Sequence, residues 1–156
     1  IDFTDTGKIF ALRDSFLCST ITVSGDETNI GAGFNPAGSI GAQCCSGFDF
    51  IVQTIDGPGT TAFLMAMGTV VTKTLESGES ILVDGDAILC FEDGIGIEIE
   101  PVGDCKTMCC AGEGFFNTKL TGPGKIWLQS MGIDKMRKLF PPRVIPKSDN
   151  TGGDGE

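Results

Sequence analysis

The chain has 156 residues, 40% of them hydrophobic, enough for one domain with a real core and too apolar for a disordered chain. Its 21 acidic residues outnumber 11 basic ones, for a formal net charge of −10. That balance argues against nucleic acid and against an anionic membrane surface as partners, since both are recognised through Lys and Arg.

In chain order, SFLCSTITV (15–23) is apolar on both faces and is predicted as a central strand. GAGFNPAG (31–38) resembles a phosphate-binding glycine loop but lacks the Lys-Ser/Thr pair and a following helix, so a loop is expected there. FDFIVQ (48–53) reads as a strand, and Gly57-Pro58-Gly59 as a type II turn: Pro fixes φ near −65° and Gly supplies a positive φ. The turn is predicted to reverse the chain between antiparallel strands at 48–55 and 60–67. TTAFLMAMGTVV (60–71) is the longest apolar run; interrupted at Gly68, it falls short of the roughly 18–20 residues of a membrane-spanning helix. No transmembrane segment is expected.

AILCF (87–91) is again apolar on both faces and is placed centrally. IGIEIE (95–100) alternates strictly, with Ile95, Ile97 and Ile99 on one face and Glu98 and Glu100 on the other, as in a half-buried strand. Gly122-Pro123-Gly124 repeats the turn, joining a strand at 115–121 to one at 125–131. GIDKMRKLF (132–140) has helix formers, with Ile133, Met136 and Phe140 at helical spacing. It is predicted as a short helix laid on the sheet and stopped by Pro141 and Pro142. The Gly-rich tail to 156 is expected to be flexible.

The second half repeats the first. CCSGFDFIVQTIDGPG (44–59) returns as CCAGEGFFNTKLTGPG (109–124), an offset of 65 residues (109 − 44). At that offset Ile30 lies over Ile95, Pro36 over Pro101 and Gly38 over Gly103, and one inserted residue brings Phe63 over Trp127. The expected domain is a single β unit, 1–140, built of two pseudo-symmetric modules at about 14–68 and 79–132, joined by TVVTKTLESG. The 23 glycines and seven prolines punctuate short Val/Ile/Thr/Phe runs, which points to an all-β sandwich or barrel-like fold with a short C-terminal helix.

Chemistry is sparse. With no histidine, Ser-His-Asp and Cys-His nucleophile systems are excluded, as is the commonest zinc ligand. Seven cysteines leave at least one unpaired in a monomer. The doublets Cys44–Cys45 and Cys109–Cys110 each place one thiol on either side of a strand. With Cys105 they offer a metal cluster or a strained vicinal disulfide, but no C-x₂-C pair exists; small buried residues beside a turn are the preferred account. Asp84, Asp86, Glu92 and Asp93 match no EF-hand spacing and read as solvated turn residues, and Trp127 as a core or interface position. No catalytic, cofactor-binding or metal residues are assigned. A reducing, intracellular setting is expected, an organelle interior (mitochondrion or chloroplast) included.

The stretch ESGESILVDGDAILCFEDGIGIEIE, followed by GEGFFNTKLTGPGKIWLQSMG, resembles the "altered inheritance of mitochondria" family of mitochondrial-biogenesis proteins. The shared features are Gly78–Glu79–Ser80 into a strand, Val83 to Phe91, Gly112–Glu113–Gly114, and Gly122–Pro123–Gly124 into Ile126–Ser130. The match is good over 60–132 and weaker over the first copy. The resemblance implies a fold like that of the tryptophan RNA-binding attenuation protein, two β-layers per chain, frequent trimers and no known catalytic residues. The cysteine doublets depart from the family pattern. In architecture alone, the chain is also similar to the pyrenoid shell proteins of diatoms and related algae.

The expectation that follows is a non-enzymatic scaffold that self-assembles into homo-oligomers or an ordered layer, since a duplicated surface suits heterologous contacts. A small-ligand-binding β module and a thiol redox or metal-binding protein are the alternatives.

Overall fold

The computed structural model describes residues 1–21, 27–34, 51–101 and 116–140. Eleven strands run through them: β1 Ile9–Ala11, β2 Phe16–Ser19, β3 Asn29–Phe34, β4 Ile51–Asp56, β5 Ala62–Leu64, β6 Val70–Leu75, β7 Ser80–Val83, β8 Ile88–Glu92, β9 Gly96–Pro101, β10 Phe116–Thr121 and β11 Gly124–Gln129. A 3₁₀ turn, Gly85–Ala87, precedes β8, and one helix, α1 Ile133–Leu139, follows β11. Six strands form one sheet in the order β3-β4-β1-β8-β11-β6, three form a second, β7-β10-β9, and β2 pairs with β5 alone. All these pairings are antiparallel, and among the described residues the sheets are open rather than closed into a barrel.

The centre of the six-stranded sheet is buried on both faces, while its edge strands β3 and β6 are largely exposed. On one face Phe10, Val52, Leu75, Ile88, Phe91 and Ile126 meet Ile97 and Leu120 of the three-stranded sheet. On the other, Ile9, Ala11, Ile55, Leu89 and Cys90 meet Phe3 and Ala62, with Phe16 and Leu64 of the two-stranded sheet packed alongside. Strand β1 feeds both layers in simple alternation, Phe10 to one side and Ile9 and Ala11 to the other.

Strand β8 does so with an irregularity. Cys90 lies opposite Trp127 and Ile88 opposite Leu128, leaving Leu89 as an extra residue in a β-bulge. The bulge turns Leu89 and Cys90 to the same face, while Ile88 and Phe91 serve the other core. Phe91 is fully buried, pairs directly with Phe10 across β1, and stacks on its ring at 5.5 Å between centroids. Burying a side chain of that size stabilises the fold by about 2–3 kcal/mol.

The alternation read in IGIEIE holds: Ile95 and Ile97 are buried, while Glu98 and Glu100 face water and flank Lys119 at 3.1 and 3.4 Å. SFLCSTITV is not central. Its strand β2 is four residues long and pairs only with β5, with Leu17 and Cys18 exposed. Each face of an apolar run can be satisfied by another strand layer, and here only the inner face is.

Both Gly-Pro-Gly turns are corners between sheets rather than hairpins. At the first, Thr60 N–H donates to Gly57 O (2.9 Å) and Gly59 has φ 75°, the expected type II geometry, but it sends the chain from β4 to β5 in another sheet. A Cβ on Gly57 would stand 2.8 Å from the Thr28 Cα, so the close approach itself requires glycine. The second turn differs in conformation: the Gly122–Pro123 peptide is cis, and β10 and β11 again lie in different sheets. Gly122 is seated against β6, where a Cβ would come within 2.7 Å of that of Leu75.

The repeat offset is kept between β4 (51–56) and β10 (116–121) but not between their partners. Ile30 pairs with Ile55, whereas Ile97, not Ile95, pairs with Leu120. The slip is two residues, a full strand period, so it leaves the faces unchanged. The joining segment TVVTKTLESG supplies an edge strand of the large sheet, β6.

Helix α1 forms where predicted, with Met136 half-buried and Phe140 exposed. Its root is polar: Lys135 Nζ pairs with Asp84 Oδ2 at 2.7 Å, and Gly132 is pressed against the backbone of Asp86. Leu139 and Phe140 are 62% and 74% exposed. The tail from 141 lies outside the described residues.

In the middle of β10, between Val83 and Ile99, Thr118 is 1% exposed, and its Oγ1 has no hydrogen-bond partner among the described residues. A buried hydroxyl without a partner is destabilising by about 1 kcal/mol or more. Thr118→Val is therefore expected to raise stability by about 1 kcal/mol, read as a higher urea midpoint at unchanged slope. A lower midpoint would show that the hydroxyl is satisfied.

Candidate functional site

The cysteine doublets Cys44–Cys45 and Cys109–Cys110, with Cys105, lie outside the described residues. Of the described cysteines, Cys18 is exposed and Cys90 is buried, and burial pushes the Cys90 thiol well above its ordinary range. The turn residues Gly57, Pro58 and Gly59, and Gly122, Pro123 and Gly124, occupy corners between sheets and do not converge on a pocket-like arrangement of chemical groups.

Four of the acidic residues have a local task. Asp84 Oδ1 caps the 3₁₀ turn by accepting from Asp86 N–H at 3.2 Å, and Glu92 accepts from Lys125 N–H at 2.7 Å. Lys119 bridges Glu98 and Glu100, and these two carboxylates hold its ammonium above the usual lysine range. Among the described residues no group of three or more Asp, Glu or Cys is placed to hold a metal ion. The space between the six- and three-stranded sheets, where a ligand between layers would sit, is filled by side chains such as Phe10, Phe91, Leu120 and Ile126. Gln129 is an unforeseen structural residue: 3% exposed, it accepts from Met67 N–H (3.0 Å) and donates to Asp86 O (3.1 Å).

The outstanding surface is the outer face of the β2–β5 sheet. Phe16 pairs with Leu64 and Cys18 with Phe63, so Leu17 is an extra residue in a second bulge. Phe16, Ala62 and Leu64 point to the core beneath. Leu17, Phe63 and Met65 point away from it, at 68%, 49% and 59% exposure, with Cys18 among them, and Ile21 beyond the strand is 66% exposed.

The face is held firmly from below and from the side. Phe16 N–H donates to Gln53 Oε1 (3.2 Å), Met65 N–H to Ser15 O (2.6 Å) and Thr20 N–H to Thr61 O (2.9 Å). The N-terminal residues line the other side of β5, where Ala62 N–H donates to Ile1 O and Phe3 N–H to Thr60 O. Two acids stand at its margins: Asp14, just before β2 with φ 62°, and Asp2, bridged to Thr61. Grouped exposed apolar side chains make this face a candidate contact surface. The edge strand β6 adds Val70 and Val71, both exposed. Strand β6 has neither Pro, Gly nor a bulge to blunt it.

Reading SFLCSTITV as a central strand hid this face.

Comparison with known proteins gives a consistent picture of the fold. The mitochondrial biogenesis AIM24 family matches residues 1–131. Seven solved chains match; one is the crystal structure of protein SPYM3_0169 from Streptococcus pyogenes, at a TM-score of 0.64 and 16% identity. That likeness covers 89% of this chain and 56% of the other, so the chain spans little more than half of that protein's length. No curated protein matches.

The contrast between the two described thiols is directly measurable. Under native conditions a thiol reagent, followed by peptide mapping, is expected to modify Cys18 at least about 100-fold faster than Cys90, whose reaction must await opening of the core. Equal rates would contradict the placement of β8.

Proposed function

The chain belongs to the mitochondrial biogenesis AIM24 family, and on that premise we propose that it is a non-enzymatic structural protein that self-associates into homo-oligomers or an ordered protein layer, contributing to the organisation of an organelle. The observation that carries this reading is the outer face of the β2–β5 sheet, where Leu17, Phe63 and Met65 are turned to solvent on a rigidly held support. Removing three such half-exposed side chains from water favours association by on the order of 1 kcal/mol each. That is a useful part of a binding free energy when the surface does not have to be ordered first.

Composition agrees with the reading. A chain without histidine or tyrosine has few groups to act as general acid or base near neutral pH. Asp84, Glu92, Glu98 and Glu100 are engaged in a cap, a backbone hydrogen bond and ion pairs. The excess of negative charge keeps a β protein with apolar surface in solution until specific contacts form. The family name supports a mitochondrial setting, and no helix among the described residues is long and apolar enough to cross a membrane.

Size-exclusion chromatography with light scattering, across a dilution series of the purified chain, tests the proposal. The expected mass is a multiple of the 16.3 kDa chain that falls on dilution. A constant mass of one chain up to the solubility limit would reject self-association.

A further inference from the structure

Strand β6 is an open edge. It ends the six-stranded sheet, pairs among the described residues with β11 alone, and has Val70 to Thr74 exposed. Edges of this length ordinarily carry a Pro, a bulge or a free Lys that keeps other strands away. The one charge on β6, Lys73, is instead bound by Glu79, with Nζ 2.6 Å from Oε1.

The ladder with β11 fixes which backbone groups face outward. Ser130 N–H donates to Thr69 O (2.9 Å), one step beyond the Gln129–Val70 pair. Bonded and unbonded pairs alternate along antiparallel strands, so Val71, Lys73 and Leu75 bond to β11. Val70, Thr72 and Thr74 turn their N–H and C=O groups away from it. The other side of the ladder agrees: Lys125, opposite Thr74, donates its N–H to Glu92 Oε2 (2.7 Å) and not to β6.

These outward groups select a partner strand. A β6 from a second copy, antiparallel and related by a two-fold axis at Thr72, sets Thr72 against its own copy and Val70 against Thr74. Every outward N–H and C=O is then answered. The neighbouring pairs set Val71 against Lys73, so no like charges are opposed. Sliding by two residues one way would set Lys73 against Lys73 and call on the Glu76 N–H, which already donates to Glu79 Oε2 (3.0 Å). Sliding the other way would call on Gly68, which lies outside the strand with φ 78°. Strand β3, the other edge of the sheet, offers Gly31 and Gly33, which supply no cross-strand side chains.

We propose that β6 pairs antiparallel with β6 of a second copy about a two-fold axis at Thr72, joining the six-stranded sheets of both chains into one. This rests on the self-association proposed above and adds a joint to it. The pairing uses none of the β2–β5 face, which both copies keep for further contacts. A closed two-fold joint combined with a second contact surface extends into an ordered layer.

Full-length Thr72→Lys and Thr72→Glu variants test it. Thr72 is exposed, so circular dichroism and thermal melts should match the parent chain. Each variant opposes like charges at the axis and is expected to raise the dissociation constant at least about tenfold, by light scattering on a dilution series. Mixed in equal amounts, the two oppose a Lys to a Glu and are expected to return to within about threefold of the parent. Residue-resolved hydrogen exchange is a second readout. On assembly the Val70, Thr72 and Thr74 amides gain protection, while those of Val71, Lys73 and Leu75 are protected in both states.

A parent chain that stays a monomer overturns self-association and this joint with it. A parent that assembles, with both variants assembling as tightly, leaves self-association standing and overturns the joint. Weakening in both variants without recovery in the mixture overturns the two-fold pairing in favour of a different strand at this edge. Assembly with no gain of protection at Val70, Thr72 and Thr74 overturns it as well.

Discussion

A sheet buried on both faces has to be covered twice, and in this molecule the two covers are unequal. Strand β8, with Ile88, Leu89, Cys90 and Phe91 all buried, sits at the middle of the six-stranded sheet and belongs to both cores. Without the bulge at Leu89, simple alternation would send Ile88 and Cys90 to one face and Leu89 and Phe91 to the other. Ile88 and Phe91 would then fall on opposite faces, as would Leu89 and Cys90, and neither core would keep its present filling. One extra residue in one strand thus sets which side chains fill each layer.

The cover on the first face is a regular three-stranded sheet whose outer surface is mostly polar, with Lys119 between Glu98 and Glu100 and the exposed Leu82 opposite it. Among the described residues the cover on the second face is β2 and β5, seven residues in all, with the N-terminal residues beside them. A pair of strands is marginal by itself, and this one is fastened by its inner apolar residues, by Phe16 N–H donating to the Gln53 side chain, and by the backbone bonds of Ala62 to Ile1 and of Phe3 to Thr60. Its outer side chains contribute nothing to that fastening, yet they are Leu17, Phe63 and Met65. Polar residues at those positions would serve the fold equally well. Their apolar character therefore points to a role outside the chain.

Much of the architecture was legible in the residues. The strict alternation of IGIEIE and the double-sided apolarity of AILCF translated directly into a half-buried and a central strand. The turn chemistry of Pro58 and Gly59 translated into a type II turn, and GIDKMRKLF into α1. What could not be read locally was which strand each neighbour would choose. Gly-Pro-Gly specifies a reversal but not whether the next strand pairs with the last, and here each turn hands the chain to a different sheet. The same limit explains SFLC: an apolar run looks the same whether its outer face meets a third layer or another molecule. The two-residue slip between β3 and β9 was invisible because the gap-free match keeps the period of two, and with it every buried face. Joining residues 69–78 showed no repeat partner and so looked like a connection, though Val, Thr and alternation had already made 70–75 a strand.

The central claim is that the leftover apolar face of the thinner cover is where this chain meets its like. Hydrogen–deuterium exchange of the parent chain, compared at concentrations where it is dispersed and where it is assembled, tests this most directly. The account predicts that amides of 16–21 and 61–65 gain protection on assembly, while those of β8 are fully protected in both states. Assembly with unchanged exchange in those two segments would contradict it.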